Sequence, residues 1–148
     1  QKQIYQIVLS AQKSAIASIK PGEKVNTPHE IACDIISREL TKLGIMKELN
    51  NLSEFYMHKT GHWLGLDVHD VGEYEIDNDF RDFEEGMVTT VEPGIYIRKN
   101  DKIDPKYWNI GIRIEDDVLV TKDGNHVLSK SAVKEVKDIE YLMSQNIT

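Results

Sequence analysis

The chain has 148 residues, of which 40% are hydrophobic and 29% charged, a composition typical of one globular domain rather than a disordered segment. Eighteen basic against 25 acidic residues give a net charge of −7, and the sequence has neither a basic block nor a long apolar run, which argues against nucleic acid and membrane as partners. The single cysteine, Cys33, excludes an internal disulfide and predicts a cytoplasmic protein.

Two amphipathic helices are predicted in the first third of the chain. Apolar residues recur at spacings of three and four from Ile4 to Ile19, after which a Pro-Gly pair ends the helix. The second helix begins at Thr27, which can act as its N-cap, and Glu30 follows three residues later, as a capping box requires. Gly44 is the residue expected to end this second helix.

Beyond Leu52 the pattern changes to alternation and β-branched residues, which predicts strands. The pair Asp123-Gly124 indicates a tight turn, and a closing amphipathic helix is predicted from about Ala132 to Met143. The fold class is therefore α+β, with two leading helices, a mostly antiparallel sheet and a closing helix. The predicted strands are Glu54–Met57, Met87–Glu92, Ile95–Ile97, Ile110–Thr121 and His126–Leu128.

Three histidines, His58, His62 and His69, lie in one short segment of a chain that has five in total. The spacing of the first two is that of a zinc-binding helix, but Gly61 and Gly65, and the absence of a glutamate after His58, argue against it. In an extended stretch His62 and His69 would face opposite sides, so a loop or turn is needed to bring them together. Each histidine by itself could be a hydrogen-bonded polar residue near the core. Three histidines so close together favour a functional site.

Two later segments each place a carboxylate where a packed core does not need one. By alternation Val88, Thr90 and Glu92 share one face of a strand, and a Glu92 buried there needs a cation or hydrogen-bond donors. Arg113 and Glu115 share a face of another strand in the same way. The alternatives are an edge-strand Glu92 in solvent and a surface ion pair between Arg113 and Glu115.

Taken together, the three segments predict one imidazole and two carboxylates on a sheet, with two further histidines nearby. Oxygen-rich ligation with one nitrogen suits Mn²⁺, Fe²⁺, Co²⁺ or Zn²⁺. Carboxylates can also bridge two ions about 3.5–4 Å apart, as in two-metal hydrolases. Such a site lowers the pKa of a bound water and polarises a carbonyl, while an unligated histidine moves protons.

The sequence resembles the pita-bread metallopeptidases, which include methionine aminopeptidases, prolidases and aminopeptidase P, in the strings MHKTGHWLGLDVHDVGEY, GMVTTVEPGIYI and GIRIEDDVLVT. The order and separation of these strings fit the family, as do the two preceding helices and the closing helix, so the resemblance covers essentially the whole chain. The histidine string is most similar to that of bacterial Xaa-Pro aminopeptidase. The resemblance implies a partial pita-bread fold with a curved, mostly antiparallel sheet.

By this resemblance three residues match metal ligands of the family: His62, Glu92 and the bridging Glu115. In such enzymes two Mn²⁺ ions, which Co²⁺ or Zn²⁺ can replace, share a hydroxide that attacks the carbonyl before a proline and releases the first residue. The implied partner is a peptide with proline at position two. The full-length enzyme is expected to be a homo-oligomer.

Three further residues match groups of the family that act beside the metals. His69 matches a histidine that assists proton transfer and contacts the substrate. His58 matches another that hydrogen-bonds the reacting group. Arg113 resembles the arginine that orients the site, and the three together are therefore the catalytic residues that the resemblance implies.

The family binds its metals with five side chains, and two of these are aspartates on a β-hairpin upstream of the first matched helix. Before His58 this chain offers only Asp34, which lies in the second predicted helix. We therefore expect residues 1–148 to be the C-terminal portion of a metallopeptidase catalytic domain, without the upstream hairpin and the N-terminal domain. The isolated chain is then expected to be inactive.

Three other interpretations stay open at this stage. Prolidase, which accepts only dipeptides, has a very similar histidine string. A pseudo-peptidase that binds peptides or partner proteins without a metal is favoured by the missing aspartates and opposed by the retained histidines and glutamates. A complete small protein would hold one ion at His62, Glu92 and Glu115, since three ligands plus water can hold a catalytic ion.

Overall fold

The two leading helices form one layer of the fold. In the computed structural model, which describes residues 1–47 and 49–145, α1 spans Lys2–Ser18 and α2 spans Thr27–Lys42. They pack against each other through the apolar stripes that the sequence predicts, and each large apolar side chain buried there contributes roughly 1.5–3 kcal/mol. The buried side chains of this layer include Ile4, Val8, Ala11, Ile36 and Leu40.

The start of α2 differs from the predicted capping box. The helix does begin at Thr27, but the Thr27 hydroxyl donates to Glu23 at 2.9 Å, and Glu30 accepts from the side-chain amide of Asn26 at 2.8 Å. Glu23 thus takes the hydroxyl that the capping box needs, and the Asn26 carbonyl closes the first turn. At the other end Gly44 has a left-handed φ of +69°, as expected for the residue that ends a helix.

The second layer consists of antiparallel strands. Within the described residues they are β1 (Glu75–Ile76), β2 (Asp79–Phe80), β3 (Val88–Val91), β4 (Gly94–Ile97), β5 (Ile110–Arg113), β6 (Asp116–Thr121) and β7 (Gly124–Val127). Strands β3, β6 and β7 form a three-stranded sheet, β4 pairs with β5, and β1 pairs with β2 in a separate hairpin. These elements confirm the predicted α+β fold class.

The strands β3–β4 and β6–β5 form one long antiparallel pair with a break in the middle. Val91 faces Asp116 on one side of the break, and the pairing on the other side continues in the same register. The break falls at Pro93, which has no N–H to donate to the ladder. The structure therefore divides the single strand that was predicted from Ile110 to Thr121.

The strand predicted at Glu54–Met57 is wrong. This stretch follows a short 3₁₀ helix, Leu49–Glu54, and the N–H groups of Phe55 and Tyr56 both donate to the carbonyl of Leu52, at 2.9 and 2.8 Å. Because both N–H groups are hydrogen-bonded within this turn, they cannot donate to a neighbouring strand. Both aromatic rings are buried, so two successive side chains enter the core, which strand alternation does not allow.

The last part of the chain is a hairpin followed by a short surface helix, α3 (Val136–Ser144). The predicted tight turn is confirmed, with Lys122 and Asp123 between β6 and β7. The helix begins later than predicted because Ala132 is held in a turn, where its N–H donates to the Ser129 carbonyl at 2.9 Å. All of α3 is described and none of its residues is buried, so its apolar face lies at the surface.

Two buried clusters join the helices to the strands. The larger lies between α1, α2 and the β4–β5 pair, and the smaller lies between the end of α1 and the β3–β6 pair. The smaller cluster consists of Ala15, Ile19, Trp63, Phe83, Val91, Val118 and Val120. The side chains on one face of β3 and β6 therefore pack against the helices. The alternate side chains of these strands point to the opposite face, where a polar site can form. Among the described residues, no helix is long and apolar enough to cross a membrane.

Candidate metal centre

An extended segment that shows no strand pattern in the sequence holds His62 against β3. The N–H of Thr90 donates to the His62 carbonyl at 3.0 Å, and the His62 N–H donates to the Thr90 hydroxyl at the same distance. This antiparallel pairing puts His62 on the polar face of the sheet. Two more backbone bonds extend the pairing on either side, from Leu64 to Val88 and from Glu92 to Thr60.

Gly61 permits this close approach of the two backbones. A Cβ atom at that position would lie 2.0 Å from the carbonyl oxygen of Thr90, far inside contact distance. A glycine inside a strand pairing often marks such an approach. In the sequence, Gly61 argues against a metal-binding helix. In the structure, the same glycine lets the segment that carries His62 pair closely with β3, so that His62 lies beside Glu92.

The three predicted metal ligands meet on the polar face of the sheet. Glu92 and Glu115 lie opposite each other, one step beyond the Val91–Asp116 pair, and His62 joins them from the far side of β3. The Nε2 atom of His62 is 3.3 Å from Glu92 Oε1. One possible ligand atom of each of the three lies within 4.8 Å of the others, and among the described residues this is the only such group of His, Cys, Asp or Glu.

The backbone determines which nitrogen of His62 is free. Its Nδ1 lies 3.0 Å from the carbonyl oxygen of Trp63, and because a carbonyl only accepts, Nδ1 carries the hydrogen. In the neutral ring Nε2, 3.3 Å from Glu92 Oε1, is then the nitrogen that could bind a metal ion. A neutral imidazole with one nitrogen held by a carbonyl is the usual state of a metal-binding histidine.

Glu92 is only 8% exposed, and two donors satisfy its carboxylate. The Thr90 hydroxyl donates to Oε1 and the Arg113 Nη1 donates to Oε2, each at 3.2 Å. This agrees with the expectation that a buried Glu92 needs a cation or hydrogen-bond donors, and it excludes the alternative in which Glu92 faces solvent. The ion pair that was considered between Arg113 and Glu115 is wrong in its partner, because Arg113 reaches across the strands and pairs with Glu92.

Glu115 experiences the negative charge of its neighbours. Burial raises the pKa of Glu115 and the carboxylates of Glu92 and Asp117 raise it further, while His62 and Arg113 partly oppose the shift. Two carboxylates at this distance favour a cation between them. One imidazole nitrogen with carboxylate oxygens is a donor set that fits a divalent ion such as Mn²⁺, Co²⁺ or Zn²⁺.

Tyr96, which sequence reasoning missed, connects His58 to Arg113. Its hydroxyl accepts from Arg113 Nε at 2.7 Å and donates to His58 Nε2 at 2.9 Å. The second bond has this direction in the neutral ring, in which His58 Nδ1, 2.8 Å from the Lys59 carbonyl, carries the hydrogen. Gly94 leaves room for the phenol, since a Cβ there would lie 2.6 Å from its oxygen. Strand alternation could have found Tyr96, because it places this residue on the same polar face as Glu92.

A closed loop returns His69 to His62, as the sequence requires. The N–H of Asp70 donates to the carbonyl of Trp63 at 3.1 Å and closes the loop at its base. The His69 ring lies edge-on to the His62 ring, with the two centroids 4.2 Å apart. His69 is exposed whereas His62 is half-buried, so a solvent-facing imidazole stands beside a candidate ligand.

A second polar cluster adjoins the segment that carries His62. Nδ1 of His29 is 2.9 Å from the Thr60 hydroxyl, which also bonds the Tyr56 hydroxyl. Burial lowers the pKa of His29, and Lys59 lowers it further. The Cys33 sulfur lies 3.6 Å from His29 Nε2, and burial raises the pKa of this thiol, which keeps it protonated and unreactive at neutral pH.

Comparison with known proteins gives matches over nearly the whole chain. A family model described as metallopeptidase family M24 matches residues 1–122. The Xaa-Pro aminopeptidase of Haemophilus influenzae is 46% identical over 97% of the chain, and that of Escherichia coli is 44% identical over 97% of it. These alignments cover 35% and 34% of the two relatives, so the chain spans about a third of their length.

The structural comparison agrees with the sequence comparison. The structure of Pseudomonas aeruginosa aminopeptidase PepP superposes on 97% of this chain with a TM-score of 0.93 and 45% sequence identity, and the match covers 34% of that chain. This likeness confirms the pita-bread architecture that the sequence resemblance implies for these residues.

Proposed function

The chain belongs to metallopeptidase family M24, and on this premise we propose that it carries metal-binding and proton-transferring groups of an Xaa-Pro aminopeptidase. The observation that carries the proposal is the meeting of His62, Glu92 and Glu115, with ligand atoms within 4.8 Å of one another. Two relatives that are named Xaa-Pro aminopeptidase support this reaction class. The substrate is then a peptide with proline at position two, which loses its first residue.

We assign a divalent ion to these three residues, Mn²⁺ in the first place, with Co²⁺ or Zn²⁺ as alternatives. One imidazole nitrogen and carboxylate oxygens suit all three ions. When bound, such an ion lowers the pKa of a water molecule and polarises the carbonyl of the scissile bond. We further propose that the complete enzyme would hold two ions, to which Glu115 and additional carboxylates from outside these 148 residues would contribute.

Three other residues position groups and move protons around the ligands. His69, which is exposed beside His62, is proposed to exchange a proton between solvent and the substrate amide. His58, held in one tautomer by the Lys59 carbonyl, is proposed to hydrogen-bond the reacting group. Arg113 holds Oε2 of Glu92, which leaves Oε1, 3.3 Å from His62 Nε2, as the oxygen that would bind an ion.

We also propose that the 148-residue chain is inactive by itself. Three protein ligands are enough to hold one ion, but a second ion would be held mainly by the two glutamates, and its affinity should be low. The full-length protein is proposed to act as a cytoplasmic homo-oligomer. We propose neither nucleic acid nor a membrane as a partner, because the sequence has no basic block.

The proposed activity can be tested on the full-length protein with two peptides that differ only at position two, proline in one and alanine in the other. We expect Mn²⁺-dependent release of the first residue from the proline peptide only. Glu115→Ala should abolish this release, and Glu85→Ala, which removes an exposed carboxylate away from the site, should not. Equal cleavage of both peptides, or an active Glu115→Ala enzyme, would contradict the proposal.

Calorimetric titration of the 148-residue chain with Mn²⁺ tests the ligands and the inactivity of the chain. We expect one weak site, lost in Glu115→Ala and kept in Glu85→Ala, together with no hydrolysis of the proline peptide. Two tight sites, or hydrolysis by the purified chain, would show that other residues complete the centre and that the chain does not need further ligands.

A further inference from the structure

The buried hydroxyl of Thr90 touches two of the three candidate ligands. Its Oγ1 lies 3.0 Å from the backbone nitrogen of His62 and 3.2 Å from Glu92 Oε1. Because an N–H group only donates, the hydroxyl accepts from His62 and its own hydrogen is free for the carboxylate. Thr90 is 3% exposed, so water does not compete for either bond.

These two bonds fix different parts of the candidate centre. Together with the bond from the Thr90 N–H to the His62 carbonyl, the bond to the His62 N–H holds the His62 backbone, and with it the imidazole, beside β3. The bond to Oε1 orients the Glu92 carboxylate, whose terminal torsion is otherwise broad. Among the described residues only Arg113 donates to the other oxygen, and its side chain is 46% exposed, so the more rigid donor of the pair is the buried Thr90.

We propose that Thr90 is a positioning residue of the metal centre, whose hydroxyl sets the imidazole of His62 and the carboxylate of Glu92 at their mutual distance of 3.3 Å. The inference rests on the proposed function, since it treats these two residues as ligands. Groups that hold metal ligands in place typically change metal affinity 10–100-fold when removed.

The neighbouring threonine provides a matched control. Thr89 is also buried, and its hydroxyl also bonds the His62 backbone, donating to the carbonyl at 3.1 Å. It points to the opposite face of β3 and has no hydrogen bond to a ligand side chain among the described residues. Thr89→Val and Thr90→Val therefore remove the same atom at neighbouring buried positions, and only the second removes a bond to Glu92.

The experiment measures Mn²⁺ affinity of the 148-residue chain from the electron paramagnetic resonance signal of the free ion, and the melting temperature with and without Mn²⁺. We expect Thr90→Val to weaken binding by about 10–100-fold and to reduce the rise in melting temperature that Mn²⁺ causes. Thr90→Ser, which keeps the hydroxyl, should restore both. Thr89→Val should lower the melting temperature of the metal-free chain and leave the Mn²⁺ affinity unchanged.

The outcomes separate this inference from the proposed function. If Thr90→Val binds Mn²⁺ as well as Thr89→Val does, or if serine fails to rescue it, the hydroxyl does not position the ligands and the inference is overturned. Glu92→Gln provides the second comparison. If it too binds like the wild type, or if neither the chain nor the full-length protein binds Mn²⁺, the metal centre itself is wrong and the role of Thr90 is rejected with it.

Discussion

Glu92 and Glu115 face each other across an antiparallel strand pair, at the place where Pro93 interrupts the ladder. Like charges directly opposite each other destabilise a sheet by roughly 0.2–1 kcal/mol. Arg113 binds Glu92 and offsets part of this repulsion. The fold thus maintains an unfavourable pair of carboxylates that a divalent cation would make favourable.

Removal of one carboxylate of this pair should stabilise the metal-free chain and abolish its response to metal. Glu115→Gln keeps the shape of the side chain, so we expect the free energy of unfolding at pH 7, without metal, to rise by roughly 0.2–1 kcal/mol. Urea unfolding with and without Mn²⁺ measures both effects. Glu85→Gln, at an exposed position, is the control for charge alone, and an equal gain in that variant would refute the explanation by local repulsion.

Substitution of Gly61 should separate the segment that carries His62 from β3. A Cβ atom would lie 2.0 Å from the Thr90 carbonyl, and neither backbone can yield without breaking the hydrogen bonds that join them. We expect Gly61→Ala to cost about 2 kcal/mol or more of the free energy of unfolding, in the range of overpacked sites. Thermal unfolding checks this, together with exchange of the Thr90 amide hydrogen, which should become faster.

The same substitution at Gly124 is the control, because nothing lies within 4 Å of a Cβ atom there. Gly124→Ala, also within a strand, should change the free energy of unfolding by no more than about 1 kcal/mol. If both variants were equally stable, the close approach at Gly61 would not limit the choice of residue.

Asp116 should be the main anchor of the C-terminal segment. It is 2% exposed and accepts from Gln12 at 2.6 Å, from Ser129 at 2.6 Å and from Lys134 at 2.8 Å. Asp116→Asn leaves the ammonium of Lys134 without its counter-charge, and we expect a loss of about 2–4 kcal/mol in urea unfolding.

Because no residue of α3 is buried, this loss should be accompanied by faster amide exchange throughout residues 129–145. Asp123→Asn, at the exposed hairpin turn, changes the same charge and should stay within about 0.5 kcal/mol of the wild type. Unchanged exchange in the Asp116→Asn variant would mean that other contacts hold the segment.

His29 should make the fold less stable as the pH falls below neutral. Burial puts its pKa in the folded chain below the ordinary value of 6.5, so the unfolded chain takes up a proton first as the pH decreases. The free energy of unfolding then falls between pH 7 and pH 5, by at most about 1.4 kcal/mol per pH unit.

Urea unfolding at pH 7, 6 and 5 compares wild type with His29→Gln, which does not titrate. The variant loses a bond to Thr60 at every pH, so the informative quantity is the slope against pH, which should be smaller than in the wild type. His126→Gln, at an exposed position, is the control for the exchange of a histidine for a glutamine. Equal slopes in wild type and His29→Gln would exclude this histidine as the titrating group.

The polar face of the strands could be derived from local pattern because alternation depends only on neighbouring residues. The shared face of Val88, Thr90 and Glu92 is observed, as is the need of Glu92 for donors. The capping box at Thr27 failed for the complementary reason. A hydroxyl binds whichever acceptor is nearest in the folded chain, and here that acceptor is Glu23.

The sequence by itself determined the two leading helices, most strands, the family resemblance and the residues with the chemistry of a metal site, because each of these depends on residue type and short spacing. Only the tertiary structure decided that residues 60–64 pair with β3, that Tyr96 links His58 to Arg113, and that Glu92 stands opposite Glu115. These contacts join residues far apart in the chain. They are set by strand register and by the space that glycines leave, and neither has a local signature.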